Sequence, residues 1–234
     1  MWISQKVILV SPDFLTPVNK PSWLQDYPWA MSGRLQLHSP NEPSAAVTVH
    51  DAIHERRSVR SYAPHLLDRA VLRTLLDAAI RAPTAVHAQP WGFVIVQDPK
   101  LLEEISDRAK PLFVAEAHRA HLDRGGHALE IFTHPQFNIF YDAGTLIVIC
   151  AEGEGPFAVA DCWLAAENLM LAACAKGLGT CVIGSALPAL KLPEMKAKLG
   201  IPDDFSAVAP IIVGVPSGPV PMTPRKEPRI LAWK

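Results

Sequence analysis

Three arginines and one serine stand close together at residues 56–60. Arg56, Arg57, Ser58 and Arg60 place three guanidinium groups and a hydroxyl within five residues. Positive charges at this spacing repel each other unless an anion lies between them. Arginine presents a rigid fork of donors that suits phosphate, and a serine hydroxyl adds one donor more. The segment therefore predicts a site for one anionic group, although an exposed turn with surface ion pairs would have the same spacing.

The charge of the whole chain narrows the choice of partner. The 234 residues hold 22 Lys and Arg against 23 Asp and Glu, which gives a formal net charge of −1. Such a chain has no extended basic face for nucleic acid and no polybasic anchor for a membrane. The apolar fraction of 49% is enough to bury a sizeable core. We therefore expect a globular protein with a small-molecule partner, without nucleic acid or membrane as a partner.

A second group of polar residues lies in the loop APTAVHAQPW at 82–91. Pro83 and Pro90 restrict the two ends of the loop, and Trp91 provides an apolar floor. Its hydrogen-bonding side chains are Thr84, His87 and Gln89. A rigid loop with converging polar groups suits a flat heterocycle whose rim carries carbonyls and ring nitrogens. Taken alone, His87 could equally be an ordinary surface residue.

Periodicity and capping residues predict the elements that position these groups. Thr48 followed by Asp51 resembles a capping box and begins a short helix through Glu55, and Asp68 begins a second amphipathic helix. Further helices are predicted from Asp98 and Pro99, over 157–176 and over 193–199. Buried strands are predicted at 93–96, 145–150, 180–183 and 206–215. The pattern indicates an α+β fold in one domain.

The helix predicted over 157–176 has almost no polar face. Asp161, Glu167 and Asn168 are its only charged or amide residues before Lys176, so we expect the helix to be central. Gly177 follows where a left-handed helix cap favours glycine. The four cysteines, Cys150, Cys162, Cys174 and Cys181, form no CxxC pair and fit buried free thiols.

The two ends of the chain differ from its middle. Residues 1–47 carry six prolines and three tryptophans, and we interpret them as an extended arm that packs on its own core or a partner subunit; disorder is the alternative. Residues 216–234 are predicted to be an extended tail.

The segment 111–140 is expected to cover the site, with Phe132, Phe137 and Phe140 either shaping the substrate side or filling the core. The apolar run 7–10 is too short for a signal peptide, which favours a cytoplasmic location.

Two other site chemistries have less support in the sequence. His118 and His121 lie at i and i+3 with Asp123, His127 and His134 nearby, but there is no HExxH arrangement and the surrounding pattern is polar, so we predict no metal site. A cysteine nucleophile at Cys174 or Cys181 lacks a recognisable nucleophile turn.

Three motifs in order along the chain resemble the nitroreductase family of flavin-dependent oxidoreductases. They are RRSVRSY at 56–62, PTAVHAQPW at 83–91 and AAENLMLAACAKGLGTCVIG at 165–184. The resemblance covers about residues 48–230. It implies a central, mostly antiparallel sheet flanked by helices, an intertwined homodimer, bound FMN, and NADH or NADPH as reductant.

The resemblance also implies roles for individual residues. Arg56, Ser58 and Arg60 would contact the FMN phosphate and the pyrimidine edge, and Arg57 would contribute through its backbone or side chain. The loop residues that would line the flavin from the other subunit are Pro83, Thr84, Ala85, His87 and Gln89. Ile183 and Gly184 match the turn that faces flavin N5, and Arg225 matches a late basic residue that returns to the phosphate. His87 departs from the family pattern, which has asparagine there.

These residues imply a hydride-transfer enzyme. We expect a hydride to pass from NAD(P)H through flavin N5 to a small acceptor, such as a nitroaromatic or a quinone, in a ping-pong exchange. Because the flavin carries the chemistry, no catalytic side chain is predicted. The alternative is an FMN-binding homodimer that stores or senses flavin without turnover.

Overall fold

A four-stranded antiparallel sheet forms the centre of the protein. The computed structural model describes residues 47–120, 127–153 and 155–234. The strands are β1 (Trp91–Val96), β2 (Thr145–Glu152), β3 (Gly179–Val182) and β4 (Phe205–Gly214), in the order β1-β2-β4-β3. The predicted α+β class is confirmed, and each predicted strand lies within one or two residues of an observed one.

Six helices surround the sheet within the described residues. They are α1 (Val49–Glu55), α2 (Arg69–Ala79), α3 (Pro99–Arg119), α4 (Pro156–Ala175), α5 (Leu187–Leu190) and α6 (Pro193–Leu199). The predicted capping box of α1 is present, because Thr48 accepts a hydrogen bond from the Asp51 amide and Asp51 accepts one from the Thr48 amide. Asp68 and Asp98 accept hydrogen bonds from first-turn amides of α2 and α3. Gly177 has a left-handed φ of 71°, as predicted.

The sheet is buried on both faces, which explains the continuous aliphatic run of β2. Leu146 and Val148 belong to the core on the side of α3 and α5. Ile147 and Ile149 belong to the core on the side of α2 and α4. Alternate residues of a strand point to opposite faces, so each face of β2 needs apolar side chains.

Helix α4 crosses one face of the sheet and is central, as predicted. Cys162, Leu169 and Ala173 are fully buried against it. Among the described residues, α4 is also the one helix long and apolar enough to cross a membrane. A helix in the core of a globular protein has the same apolar composition, and the packing of α4 against the sheet explains its apolar sequence here.

The segment 111–140 differs from the predicted cover. Helix α3 continues through Pro111 to Arg119, and the rings of Phe132, Phe137 and Phe140 are buried in the core. Phe132 lies 4.8 Å from Phe113 and 5.4 Å from Phe137 between ring centroids. The core alternative is therefore the correct one for these three rings. All of the predicted arm at 1–47 except Val47 lies outside the described residues, as do His121, Asp123, Gly125 and Gly126.

Gly179→Ala tests the close packing of residues 58–59 against β3. A Cβ at position 179 would lie 2.6 to 2.8 Å from atoms of the Val59 side chain, and such overpacking costs about 1–3 kcal/mol. We expect the free energy of unfolding in urea to fall by that amount. Gly218→Ala is the control, because a Cβ there meets nothing within 4 Å, and it should stay within about 0.5 kcal/mol of wild type. Equal stability of the two variants would contradict the packing described.

Candidate functional site

The arginine segment runs beside the outer edge of β3. Ser58 forms a bridge with Thr180, and the Val59 amide donates to the Thr180 carbonyl at 2.9 Å. Val59 is buried, whereas Arg56, Ser58 and Arg60 are half-buried. In an extended segment alternate residues share a face. The sheet edge therefore turns Val59 into the core and leaves the polar side chains on either side of it half-buried.

Two of the three guanidinium groups are held by defined partners near α1. The Arg56 Nε lies 3.3 Å from a carboxylate oxygen of Glu167 on α4. Arg57 Nη1 donates to the carbonyls of His54 and Arg56 at the end of α1, so its charge stabilises the helix C-terminus. Arg57 Nε is buried without a hydrogen-bond partner among the described residues. The side chain of Arg57 is thus engaged with the helix, and that of Arg56 with α4.

The third guanidinium, Arg60, lies beside an aromatic ring. Its Cζ atom is 5.9 Å from the centroid of the Tyr141 ring, within the range of a cation–π contact. Its Nη1 lies 3.4 Å from the Ser58 carbonyl. Burial raises the pKa of Tyr141 to about 12, while the charge of Arg60 and a hydrogen bond from it act in the opposite direction.

The tail begins against the same segment. The Ser217 amide donates to the Ser61 carbonyl at 3.1 Å, and their hydroxyls share a hydrogen bond. Residues 58–61 and 218–221 line a small cleft. Arg225 follows four residues later with an exposed side chain, and no hydrogen bond joins it to Arg56 or Ser58 within the described residues.

The turn at Ile183 and Gly184 follows β3, the strand that pairs with Ser58. The Ile183 amide donates to the Pro210 carbonyl at 2.8 Å, and the Ile183 side chain is buried. Gly184 is exposed, and a Cβ at this position would meet nothing within 4 Å. Gly184 is therefore the part of the turn that a ligand can approach.

The loop at 82–91 is exposed and strained. Val86, His87 and Gln89 have φ angles of 46°, 59° and 49°, and each such non-glycine conformation costs about 1–3 kcal/mol. Val86 is 99% exposed, so core packing does not explain this backbone. The Gln89 side-chain nitrogen lies 2.8 Å from the His87 Nε2. Strain of this kind, concentrated in an exposed loop, indicates a functional segment.

A buried carboxylate anchors the loop to α4. The Ala85 amide donates to both carboxylate oxygens of Asp161, at 3.2 and 3.1 Å. Asp161 is 4% exposed, and a buried carboxylate requires such a donor. The backbone of the loop is thereby tied to the same helix that contacts Arg56.

One protomer places the loop and the arginine segment at different corners of the sheet. β1, which follows the loop, and β3 are the two edge strands. Through β2, Trp91 aligns with Ser206 near the start of β4, whereas Thr180 pairs with Val213 near its end. The seven residue steps from Ser206 to Val213 correspond to about 23 Å along β4, so the end of the loop and the arginine segment are offset by about this distance along the strand direction. The structure thus places the segment 56–60 and the turn at Gly184 at the β3 edge of the sheet, and it sets the loop apart from them.

Three residues around the site were missed by sequence reasoning about function. Asp161 and Glu167 had a signal, because they are polar residues in an apolar helix. Tyr141 had none, because its contact with Arg60 depends on a left-handed backbone with φ of 52°.

The described residues can be examined for the metal and cysteine alternatives, although His121 and Asp123 lie outside them. Within the described residues there is no group of three or more His, Cys, Asp or Glu side chains that could hold a metal ion. All four cysteines are free. Burial raises the pKa of Cys174 and Cys181, which makes both poor nucleophiles near neutral pH.

Comparisons with known proteins agree with this architecture. The profile of the nitroreductase family matches residues 53–215. The chain is 28% identical to the FMN reductase (NADPH) of Bacillus subtilis over 185 residues, which are 75% of this chain and 70% of that protein. It is 26% identical to the iodotyrosine deiodinase of Thermotoga neapolitana over 186 residues, or 76% and 94% of the two chains.

A solved structure supports the fold directly. The nitroreductase with bound FMN from Bacteroides fragilis aligns with a TM-score of 0.68 and 27% identity, over 80% of this chain and 98% of that one. The predicted nitroreductase-like fold is confirmed.

Replacing Asp161 should free the loop. Asp161→Ala removes the acceptor of the Ala85 amide, and a hydrogen bond to a charged group contributes about 1.5–3 kcal/mol. We expect hydrogen exchange of the Ala85 amide to become about 10- to 100-fold faster. Asp77→Ala, which removes an exposed carboxylate on α2, should leave that exchange unchanged. Unaltered exchange in Asp161→Ala would show that the carboxylate does not hold the loop.

Proposed function

Because this chain belongs to the nitroreductase family, we propose that it is an FMN-dependent oxidoreductase that uses NADH or NADPH to reduce a small electron acceptor. The observation that carries the proposal is the placement of three half-buried polar residues, Arg56, Ser58 and Arg60, around the bridge between Ser58 and Thr180 at the edge of β3. A doubly charged phosphate is the kind of anion that two guanidinium groups and a hydroxyl bind well. The FMN bound to the related structure from Bacteroides fragilis supports this choice of ligand.

The residues present fit such a cofactor. Glu167 contacts the Nε of Arg56, which leaves the terminal nitrogens of that guanidinium able to donate to a phosphate. Arg60, Ser58 and the exposed backbone of Gly184 then offer groups to the ring and its phosphate chain. The side chain of Arg57 contributes by stabilising the end of α1. Arg225 is proposed as the late basic residue, since the tail starts in the cleft beside residues 58–61.

The other half of the site is proposed to come from a second copy of the chain. Pro83, Thr84, Ala85, His87 and Gln89 would line the flavin from the partner in an intertwined homodimer. The separation of the loop from the arginine segment in one protomer supports this arrangement. Exposed apolar side chains on α1 and α4, among them Val49, Ile53, Phe157 and Leu164, supply a surface that a partner would cover.

The protein residues bind, orient and hold charge in the proposed reaction. FMN, when bound, supplies the hydride chemistry at N5. Arg60 would hold positive charge near N1, where reduction places negative charge. The Gly184 backbone would lie toward N5. No side chain is needed as a general acid, so we propose no catalytic residue, and the nicotinamide and the acceptor would use one face of the site in turn.

His87 is the residue that distinguishes this site from the usual motif. A neutral imidazole accepts at one nitrogen and donates at the other, and its Nε2 is within hydrogen-bond distance of Gln89. We propose that this pair influences which acceptor is used. The relatives include both an FMN reductase and an iodotyrosine deiodinase, so acceptors other than nitroaromatics and quinones belong in the test. The cytoplasm is the proposed location.

An anaerobic titration tests the function. The purified protein should be yellow, and NADH or NADPH under argon should bleach the flavin absorption. A nitroaromatic, a quinone or an iodinated phenol should then restore the colour. Bound flavin that neither nucleotide bleaches would contradict a reductase and favour storage or sensing. A chain that binds no FMN would contradict both readings.

Arg56→Ala should release most of the cofactor. Loss of a charge-assisted contact of about 1.5–3 kcal/mol raises the Kd for FMN about 10- to 100-fold. The readout is FMN occupancy after purification and fluorescence titration of the cofactor-free protein. Arg73→Ala, an exposed arginine on α2, is the matched control and should bind FMN like wild type. Full occupancy in Arg56→Ala would remove Arg56 from the phosphate site.

A further inference from the structure

The residues Tyr141 and Asp142 adopt a backbone that their side chains disfavour. Their φ angles are 52° and 57°, in the left-handed region that a bulky residue such as tyrosine rarely occupies. Conformations of this kind cost about 1–3 kcal/mol each and persist where the surroundings enforce them. The turn that contains them leads directly into β2, next to Arg60.

Buried polar side chains on α3 enforce the approach to this turn. Ser106, which is 1% exposed, accepts a hydrogen bond from the Ile139 amide at 3.1 Å. Lys110, which is 8% exposed, donates to the Phe137 carbonyl at 3.1 Å and pairs with Asp107 at 2.8 Å. A buried lysine is tolerated only with such partners. Helix α3 therefore fixes the backbone that carries the strained residues.

The turn itself is closed by local hydrogen bonds and ring packing. The Tyr141 amide donates to the Asn138 carbonyl at 3.0 Å, and the Phe140 amide donates to the Asn138 side chain at 2.9 Å. The Tyr141 ring meets the Phe137 ring edge-on, with 5.7 Å between centroids. Few rotations remain open to Tyr141.

What this arrangement holds in place is the Tyr141 ring beside the Arg60 guanidinium. The guanidinium carbon lies 5.9 Å from the ring centroid, and the charge of Arg60 and a hydrogen bond from it both act to lower the pKa of the Tyr141 hydroxyl against the effect of burial. A long arginine side chain on an extended segment loses much rotamer entropy when it is held in one place. A fixed ring that offers both a π face and an acceptor reduces that cost before any ligand arrives.

We propose that Tyr141 is the positioning residue that holds the Arg60 guanidinium beside the pyrimidine edge of the bound flavin and so raises the reduction potential of that flavin. The inference rests on the proposed function. A positive charge near N1 stabilises the reduced, anionic flavin more than the oxidised one. If the Arg60 guanidinium can move freely, it spends less time at the pyrimidine edge. Its release therefore weakens the binding of reduced FMN more than the binding of oxidised FMN.

The test compares Tyr141→Phe with wild type in the FMN-loaded protein and in the cofactor-free protein. Phenylalanine keeps the ring and its packing and removes the hydroxyl. We expect reduced FMN to bind about tenfold more weakly relative to oxidised FMN, which corresponds to a two-electron potential lower by about 30 mV. The potential is measured by equilibration with a reference dye, and oxidised FMN binding by fluorescence titration. Hydrogen exchange of residues 138–143 shows whether the turn is intact.

Tyr62→Phe is the matched control. The Tyr62 hydroxyl donates to the Val59 carbonyl at 2.8 Å, so the same atom is removed from a buried tyrosine in the neighbouring segment. We expect this variant to lose stability but keep the wild-type potential.

A double-mutant cycle with Arg60→Ala separates positioning from direct contact. If Tyr141 acts through Arg60, adding Tyr141→Phe to Arg60→Ala changes the potential no further. A shift that persists without Arg60, or an unchanged potential in Tyr141→Phe alone, would overturn the inference. The proposed function would still stand if wild type binds FMN and NADH or NADPH bleaches it. A wild-type chain that binds no FMN would overturn both.

Discussion

Like charges have to be held together before an anion arrives to neutralise them, and the structure around residues 56–60 serves that need. Glycine at 179 lets the Val59 side chain lie against β3 with no room for a Cβ, and backbone hydrogen bonds pair the segment with the strand. The repulsion among three guanidinium groups is thus opposed by packing and by separate partners. Arg56 meets Glu167, Arg57 meets the end of α1, and Arg60 meets Tyr141. Each of the three charges thus has its own partner on a different element, which limits their mutual repulsion.

Helix α4 connects this segment with the exposed loop. Each of its three polar residues before the last turn has a partner outside the helix. Asp161 accepts from the Ala85 amide, Glu167 contacts Arg56, and Asn168 donates to the Ala78 carbonyl at 3.3 Å. Six residues separate the first two, a rise of about 9 Å along the axis. One rigid helix therefore sets the relative positions of two segments that are distant in sequence, which a flexible linker could not do.

The sequence predicted the elements well because caps and periodicity are local signals. Thr48, Asp68 and Asp98 act as caps as expected, and the continuous apolar run of β2 reflects burial on both faces. The sequence did not decide whether Phe132, Phe137 and Phe140 lie in the core or cover the site, because an aromatic cluster has the same composition in both places. Tyr141 was visible in the sequence only as a neighbour of these rings, and its contact with Arg60 could not be predicted. A left-handed backbone at a tyrosine results from tertiary contacts with α3 and leaves no mark in residue type. The polar residues of α4 did carry a signal, and their partners became clear only with the fold.

The arrangement also constrains how binding and assembly are linked. The loop and the arginine segment lie at different corners of one sheet, so a ligand that needs both must draw them from two protomers if each chain keeps this fold. The proposed cofactor would then bind only across the two-fold interface, and its binding free energy would stabilise the dimer as well as the fold. The positive φ angles at Val86, His87 and Gln89 agree with a functional role for the loop, because strained backbone of this kind concentrates at ligand-binding and active sites. Folding and the proposed dimerisation and cofactor binding would then be steps of one coupled equilibrium, in which weakening any one of them weakens the other two.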